Sequence, residues 1–463
     1  MVLIDNGFRR EINRGSVINL SDYKYNYKNL EEIKNECNKL NLDIHFSNDL
    51  DVLKKPIMID GVEIPNRLTI QPMEGFDSKN NGGPSELTYR RYKRFSTGGA
   101  GMIWFEASSI LEESRSNPHQ LIFNENTLDE FKELVEKTRE YAIKENNVEP
   151  YLILQLTHSG RFSKPYGDRK PIIAVHDKIM DQVVNIDQDY PVVTDDYLKK
   201  IRDKYVEAAK LAKLAGFDAI DIKACHRYLI SELLAAKERE GIYGGSYENR
   251  ARLLKEIFEM IKQEEPNLTM GIRMNVSDAI NSKNTWGYSV QTSTFDLEEP
   301  KKLVKELSEI GVKIINVSAG TPYYNPHITR PYKDKVEGSY DQPEHPLYGV
   351  DRLFYLSAEI QKTVPNMAVV GSGYSSLKQF GMYAAAGNIA EKRHAFAGFG
   401  RQAIAYPDFA NDILKNGKME VEKCCIACSK CSQLMKWGSK TGCVIRDSDV
   451  YGPVFKKALK ENN

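Results

Sequence analysis

Eight short apolar segments alternate with amphipathic helical stretches along the chain, and this alternation leaves few folds open. The segments are residues 67–73, 99–107, 151–156, 217–224, 268–275, 314–320, 367–373 and 394–400. Continuous apolar runs of this length are what strands buried on both faces require, and helices between them make the strands parallel. Eight such units close into a (β/α)8 barrel of the TIM type. The stretch 195–216 reads as one crossover helix, with Asp195 capping its start and Gly216 its end, and 298–311 reads the same way. Residues 1–55 are polar, carry one helix pattern (29–40), and are expected to form an extension outside the barrel. Residues 56–418 are expected to form the barrel and 419–463 a separate cysteine segment.

A barrel of this kind carries its site at the C-terminal ends of the strands. Polar or glycine residues do close the apolar runs: Gln155 and His158, Lys223 and His226, Arg273, Ser318 and Gly320, Gly371 and Gly373, Gly400 and Arg401. Two connections, 160–195 and 321–347, are long for strand-to-helix links and are expected to overhang that end. Lysine plus arginine and aspartate plus glutamate both number 64, so no broad positive field draws the chain to nucleic acid or to an anionic membrane. A small-molecule substrate is favoured. The first residues hold no apolar run of leader length, and the longest apolar stretches are strand-length, which predicts a cytoplasmic protein.

Five of the seven cysteines fall between Cys424 and Cys443, which points to metal chemistry and away from disulfides. Taking Cys425 as the first ligand gives C-x2-C-x2-C-x11-C through Cys428, Cys431 and Cys443. Three thiolates from one tight loop and a fourth from a following segment suit a four-iron, four-sulfur (4Fe-4S) cluster, and four thiolates suit zinc equally. Spacing alone leaves both open.

Read together, Asn66-Arg67 with Pro72-Met73, the segment Gln155-Leu-Thr-His158-Ser-Gly160-Arg161, the segment Tyr243-Gly-Gly-Ser-Tyr-Glu-Asn249-Arg250, and Gly400-Arg401 resemble the old yellow enzyme family. The likeness is to its branch containing 2,4-dienoyl-CoA reductase and trimethylamine dehydrogenase, and covers residues 56 to about 450. The resemblance implies bound FMN. Gln155 would meet the flavin pyrimidine edge, Arg273 would stand beside N1 and the C2 carbonyl, and Met73 and Ala107 would line the ring, with Pro72, Glu74 and Ser318 near the cofactor. Gly371, Gly373, Gly400 and Arg401 would hold the phosphate, since glycines let backbone N–H groups approach an anion that a guanidinium grips. In the family, hydride leaves flavin N5 for the β-carbon of an activated alkene. Here Tyr228 would protonate the α-carbon, and His226 would polarise the carbonyl together with Lys223. Lys223 departs from a family histidine, and would stabilise an enolate, bind a carboxylate, or pair with Asp221 or Glu74. Glu74 departs from a family threonine or cysteine.

The cysteine spacing resembles the 4Fe-4S segment of the same branch, which favours the cluster over zinc. No G-x-G-x-x-G follows a strand, since GSGYSS at 371–376 lacks the third glycine. Electrons are therefore expected from a ferredoxin, a flavodoxin or an NADH-linked reductase, or from NADH directly. Pro165-Tyr166-Gly167-Asp168-Arg169 is similar to a His-Gly-Asp-Arg segment of bilirubin reductases, a subgroup found in anaerobes. That likeness implies that Asp168 relays a proton and Arg169 meets a propionate or lactam, while a solvated turn reads the same residues without function. An amine dehydrogenase, with Tyr323 and Tyr324 caging a cation, and a flavin electron-transfer subunit are the alternatives to an ene-reductase.

Overall fold

The computed structural model describes residues 25–462, so the first 24 residues of the expected extension lie outside the described chain. Eight parallel strands close into a barrel: β1 (Leu68–Ile70), β2 (Met102–Ser109), β3 (Tyr151–Thr157), β4 (Ala219–Ala224), β5 (Thr269–Asn275), β6 (Ile314–Ser318), β7 (Ala368–Gly371) and β8 (Phe396–Phe399). They pair in chain order and β8 returns to β1, with Ala397 beside Leu68. Each of the eight expected segments overlaps one strand, and β2 and β3 run past the expected ends to Ser109 and Thr157. Helices α1 (Glu86–Thr97), α2 (Leu128–Asn146), α3 (Asp195–Leu214), α4 (Tyr247–Glu264), α5 (Glu298–Ile310), α6 (Pro346–Thr363), α7 (Gly381–Ala390) and α8 (Phe409–Asn416) follow the strands in turn.

Side chains alternate along each strand, so one set faces the helices and the other fills the barrel. Ile220, Ile222 and Ala224 of β4 belong to the outer core, whereas Ala219, Asp221 and Lys223 face inward. The lowest inner layer is apolar: Met102, Trp104, Tyr151, Ile153, Ala219, Ile314, Val370 and Phe396 pack together. A two-stranded hairpin, Ile57–Ile59 with Val62–Ile64, plugs that end through Ile59 and Ile64. Its Asp60-Gly61 turn has positive φ at both positions, the backbone that matches strand twist in a two-residue loop. Above the apolar layer the inner face turns polar, towards the C-terminal mouth.

Helix α3 is capped by Thr194, whose hydroxyl accepts from the Tyr197 N–H. The expected cap, Asp195, is the first helical residue and instead pairs with Arg239 at 2.8 Å and accepts from the Ile242 N–H. Gly216 follows the helix at φ 88°, as its position predicts. In residues 25–55, helix Leu30–Lys39 sends Ile33, Cys37 and Leu40 into the main core, and Asp43 and Ser47 hydrogen-bond to α6 and α7 through Asp351 and Tyr383. The C-terminal segment folds back towards the mouth. Thr441 N–H donates to Gly75 O at 2.7 Å, and Asp447 takes Arg90 and Arg94 of α1. No helix among the described residues is long and apolar enough to cross a membrane.

Candidate functional site

Asp221 organises the middle of the barrel. Its carboxylate accepts from Trp104 Nε1 at 2.8 Å, from Gln155 Nε2 at 2.5 Å, and from the Arg273 backbone N–H. Burial pushes its pKa up to about 6, against the pull of these donors. Gln155 and Arg273 are thereby fixed in neighbouring registers, Gln155 opposite Asp221 and Arg273 opposite Lys223. Arg273 Nε is buried with no partner, and Asn316 Oδ1 is likewise unpaired, although Asn316 Nδ2 donates to Gln71 Oε1 at 2.7 Å. Open hydrogen-bonding capacity at the mouth, from residues that the fold holds rigidly, fits the polar edge of a flavin ring.

The loop after β1 carries Pro72, Met73 and Glu74. It is anchored at Gly75, whose N–H donates to Glu106 Oε2 at 2.7 Å. A Cβ at Gly75 would lie 2.2 Å from the Arg91 guanidinium, so this position requires glycine. Glu74 points to the mouth and pairs with Lys223 at 3.2 Å, while Ser116 Oγ donates to its other oxygen at 3.3 Å. Of the two acids available to Lys223, then, the partner is Glu74, because Asp221 is engaged by three other donors. The Lys223 ammonium also stands 4.0 Å from the centre of the Tyr228 ring. Tyr228 is buried, with its hydroxyl 3.0 Å from that of Tyr323, and burial, then Glu74, then Tyr323 hold its phenol well above the ordinary range. Tyr323 is 42% exposed and stacks on Phe162 at 3.7 Å, so the three rings form one aromatic wall.

His226 and Arg227 both adopt the left-handed backbone, which costs about 1–2 kcal/mol for each non-glycine residue. Arg227 offsets this through Asp278 at 3.1 Å and the Asn284 carbonyl at 3.0 Å. The turn aims His226 at Ser318, Nε2 to Oγ 3.1 Å, and burial together with Arg273 and Lys223 holds its imidazole well below its ordinary pKa. His226 is therefore a neutral ring. The overhanging connection 160–195 is pinned by Arg161, which donates to Glu232 at 2.6 Å, to the Val175 carbonyl at 2.6 Å and to Asp181. Asp168 and Arg169 lie exposed at its tip. Arg169 donates to Val183 O at 2.7 Å and lies close enough for its charge to act on Tyr323. Tyr324 packs against the same cluster as Phe162 and Tyr228. Ala107 is buried, and its carbonyl accepts from Gln120 at 3.0 Å.

At β7 and β8, a Cβ on Gly371 would meet the His394 ring at 2.5 Å and one on Gly400 would meet Met73 Sδ at 3.1 Å, while Gly373 has φ 111°. The N–H groups of Gly400 and Gln402 both point at Ser375 Oγ, at 3.2 and 3.1 Å. Arg401 donates to Pro331 O and Ser376 Oγ through Nη2, leaving Nη1 buried without a partner. A buried guanidinium nitrogen left unpaired beside two glycines fits a phosphate. Ser375 and Ser376 were not singled out in the sequence, although they lie in the GSGYSS segment, and neither were Gln71, Ser116 or Asn316.

Cys425, Cys428, Cys431 and Cys443 line one cavity with Ile404, Ile426, Val444, Ile445 and Arg401. None of the seven cysteines is in a disulfide. Backbone N–H groups of Ala427 and Arg446 point at the sulfurs of Cys425 and Cys443, at 3.4 and 3.2 Å. Among the described residues no three His, Cys, Asp or Glu side chains are placed to hold a single metal ion. Four cysteine thiols lining one cavity fit a metal centre.

A model of the NADH:flavin oxidoreductase / NADH oxidase family matches residues 52–420. The chain is 30% identical over 272 residues to an NADPH dehydrogenase of Bacillus pumilus, covering 58% of this chain and 73% of that protein. It is 27% identical over 376 residues to an NADH oxidase of Thermoanaerobacter brockii, covering 80% of this chain but only 52% of that one. Among solved structures it is similar to a 2-naphthoyl-CoA reductase in complex with 2-naphthoyl-CoA, with TM-score 0.67 at 17% identity over 88% of this chain and 58% of the other. It is also similar to an old yellow enzyme homologue from Zymomonas mobilis, with TM-score 0.58 at 20% identity over 80% and 94%. At these identities the structural likeness speaks for the fold. With the family model spanning most of the sequence and the barrel agreeing with it, the chain belongs to the NADH:flavin oxidoreductase / NADH oxidase family, the old yellow enzyme family.

Proposed function

We propose that the chain is an FMN-dependent ene-reductase that reduces an activated, conjugated C=C bond. Its electrons would come from a ferredoxin, a flavodoxin or an NADH-linked reductase through a 4Fe-4S centre on Cys425, Cys428, Cys431 and Cys443, or from NADH directly. Bound FMN would supply the hydride. Gln155 and Arg273 would hold the ring edge, with Met73 and Ala107 along it, and Gly371, Gly373, Gly400 and Arg401 would hold the phosphate. The observation that carries the reading is the buried Tyr228 phenol, set beside the Lys223 ammonium and joined to the hydroxyl of Tyr323, a partly exposed residue.

Tyr228 would give its proton to the substrate α-carbon and regain one through Tyr323. Neutral His226 and charged Lys223 would polarise the substrate carbonyl, where an enolate develops. The Lys223 charge over the Tyr228 ring would repel a cationic substrate, which disfavours an amine dehydrogenase with Tyr323 and Tyr324 as its cage. Bilirubin is the specific substrate we name: Arg169 at the rim would meet a propionate or lactam, and Asp168 would relay a proton.

The test is anaerobic mixing of dithionite-reduced protein with an enone, an enoate, a dienoyl thioester and bilirubin in turn. Rapid flavin reoxidation by at least one of them, with bilirubin among them, is expected. Tyr228→Phe should slow that step by roughly 10²–10⁴-fold while leaving flavin reduction intact. Flavin that none of the alkenes reoxidises, but that trimethylamine reduces, would replace this reading with the amine dehydrogenase.

A further inference from the structure

Arg401, Lys430 and Arg446 line the cysteine cavity, and Arg401 donates to the carbonyl of Pro331, the residue next to Arg330, which reaches the cavity through Ser429. Among the described residues, every hydrogen bond from the Arg330 and Arg401 guanidiniums goes to an uncharged oxygen: Ser429 Oγ for Arg330, Pro331 O and Ser376 Oγ for Arg401. Two neighbouring cations without a carboxylate are costly to keep out of water unless an anion joins them. Arg401 has its anion in the proposed flavin phosphate. Arg330 turns to the other side and donates to Ser429 Oγ at 3.3 Å, between Cys428 and Cys431.

The backbone holds it there. Lys333 N–H donates to Ala427 O at 3.1 Å, and Glu337 N–H donates to Gln433 Oε1 at 2.6 Å, so the connection 321–347 is tied to the cysteine loop on both sides of Ser429. We propose that Arg330 is a counter-charge of the four-cysteine centre, added to the Arg401, Lys430 and Arg446 side chains of its lining, and a positioning residue that makes the centre easier to reduce. The proposal rests on the reading of these cysteines as an iron-sulfur site. One-electron reduction makes such a centre more negative by one charge, and a fixed cation beside it favours that state.

The experiment is a dithionite redox titration of reconstituted holoenzyme followed by electron paramagnetic resonance, with iron analysis, for wild type, Arg330→Gln and Arg330→Lys. A wild type without iron or a cluster signal would defeat the cysteine reading itself, before the variants bear on Arg330. With the cluster present, Arg330→Gln should lower the reduction equilibrium at least tenfold, about 59 mV for one electron, and Arg330→Lys should restore most of it. Potentials within twofold in equilibrium across all three proteins would overturn the proposal. Loss of iron from Arg330→Gln alone would support it, whereas loss from both variants would overturn it, because shape and not charge would then be what the site needs.

Discussion

Replacing Asp221 by Asn tests whether the middle of the barrel works as the geometry implies. The carboxylate is buried with its pKa raised from 3.8 to about 6. Between those values the folded chain keeps a proton that the unfolded chain has released, so stability falls as pH rises through the window. A shift of this size corresponds to about 3 kcal/mol in full, and about 1.4 kcal/mol of it falls between about pH 5 and pH 8. Asparagine removes that titration. It also faces three donors, from Trp104, Gln155 and Arg273, with an amide that can satisfy only some of them, so a buried donor is left unpaired at a cost of about 1–3 kcal/mol at every pH. Denaturant unfolding at a series of pH values, with FMN saturating, separates the two effects. The constant cost offsets the curves, and the advantage of wild type over variant should shrink by about 1.4 kcal/mol from pH 5 to pH 8. Curves that stay parallel would refute the claim that a carboxylate with a raised pKa ties Gln155 to β5.

Arg161→Met removes the cation between buried Glu232 and Asp181, and should cost about 3–5 kcal/mol. Because the loss is centred on the connection 160–195, limited proteolysis should cut that segment first; unchanged cleavage would show that other contacts hold it. Arg401→Gln should weaken FMN binding by roughly tenfold to a hundredfold, the worth of one charge-assisted hydrogen bond, as measured by fluorescence titration of the apoprotein. Equal affinities would remove Arg401 from the phosphate site.

The barrel was legible because its strands are buried on both faces, which makes runs such as YLILQL continuous and unmistakable in length. Inward polar residues were legible too, as breaks in those runs at Gln155, Lys223 and Arg273. Less visible was anything decided by contacts across the barrel. The choice of Glu74 over Asp221 as the partner of Lys223 depends on Trp104, Gln155 and the β5 backbone reaching Asp221 first. Thr194 replaces Asp195 as the cap because Arg239, distant in sequence, draws the carboxylate away. The cysteine spacing points to metal chemistry, but nothing in it shows that Arg330, from a different connection, hydrogen-bonds Ser429 between Cys428 and Cys431. Such placements arise from loops packing on loops, which carry no periodicity to read.

The most direct measurement is cofactor analysis of protein purified and reconstituted without oxygen. The account predicts a yellow-brown protein with about one FMN and about four irons per chain, whose cluster and flavin are both reduced by dithionite. Colourless protein holding neither FMN nor iron after reconstitution would contradict it.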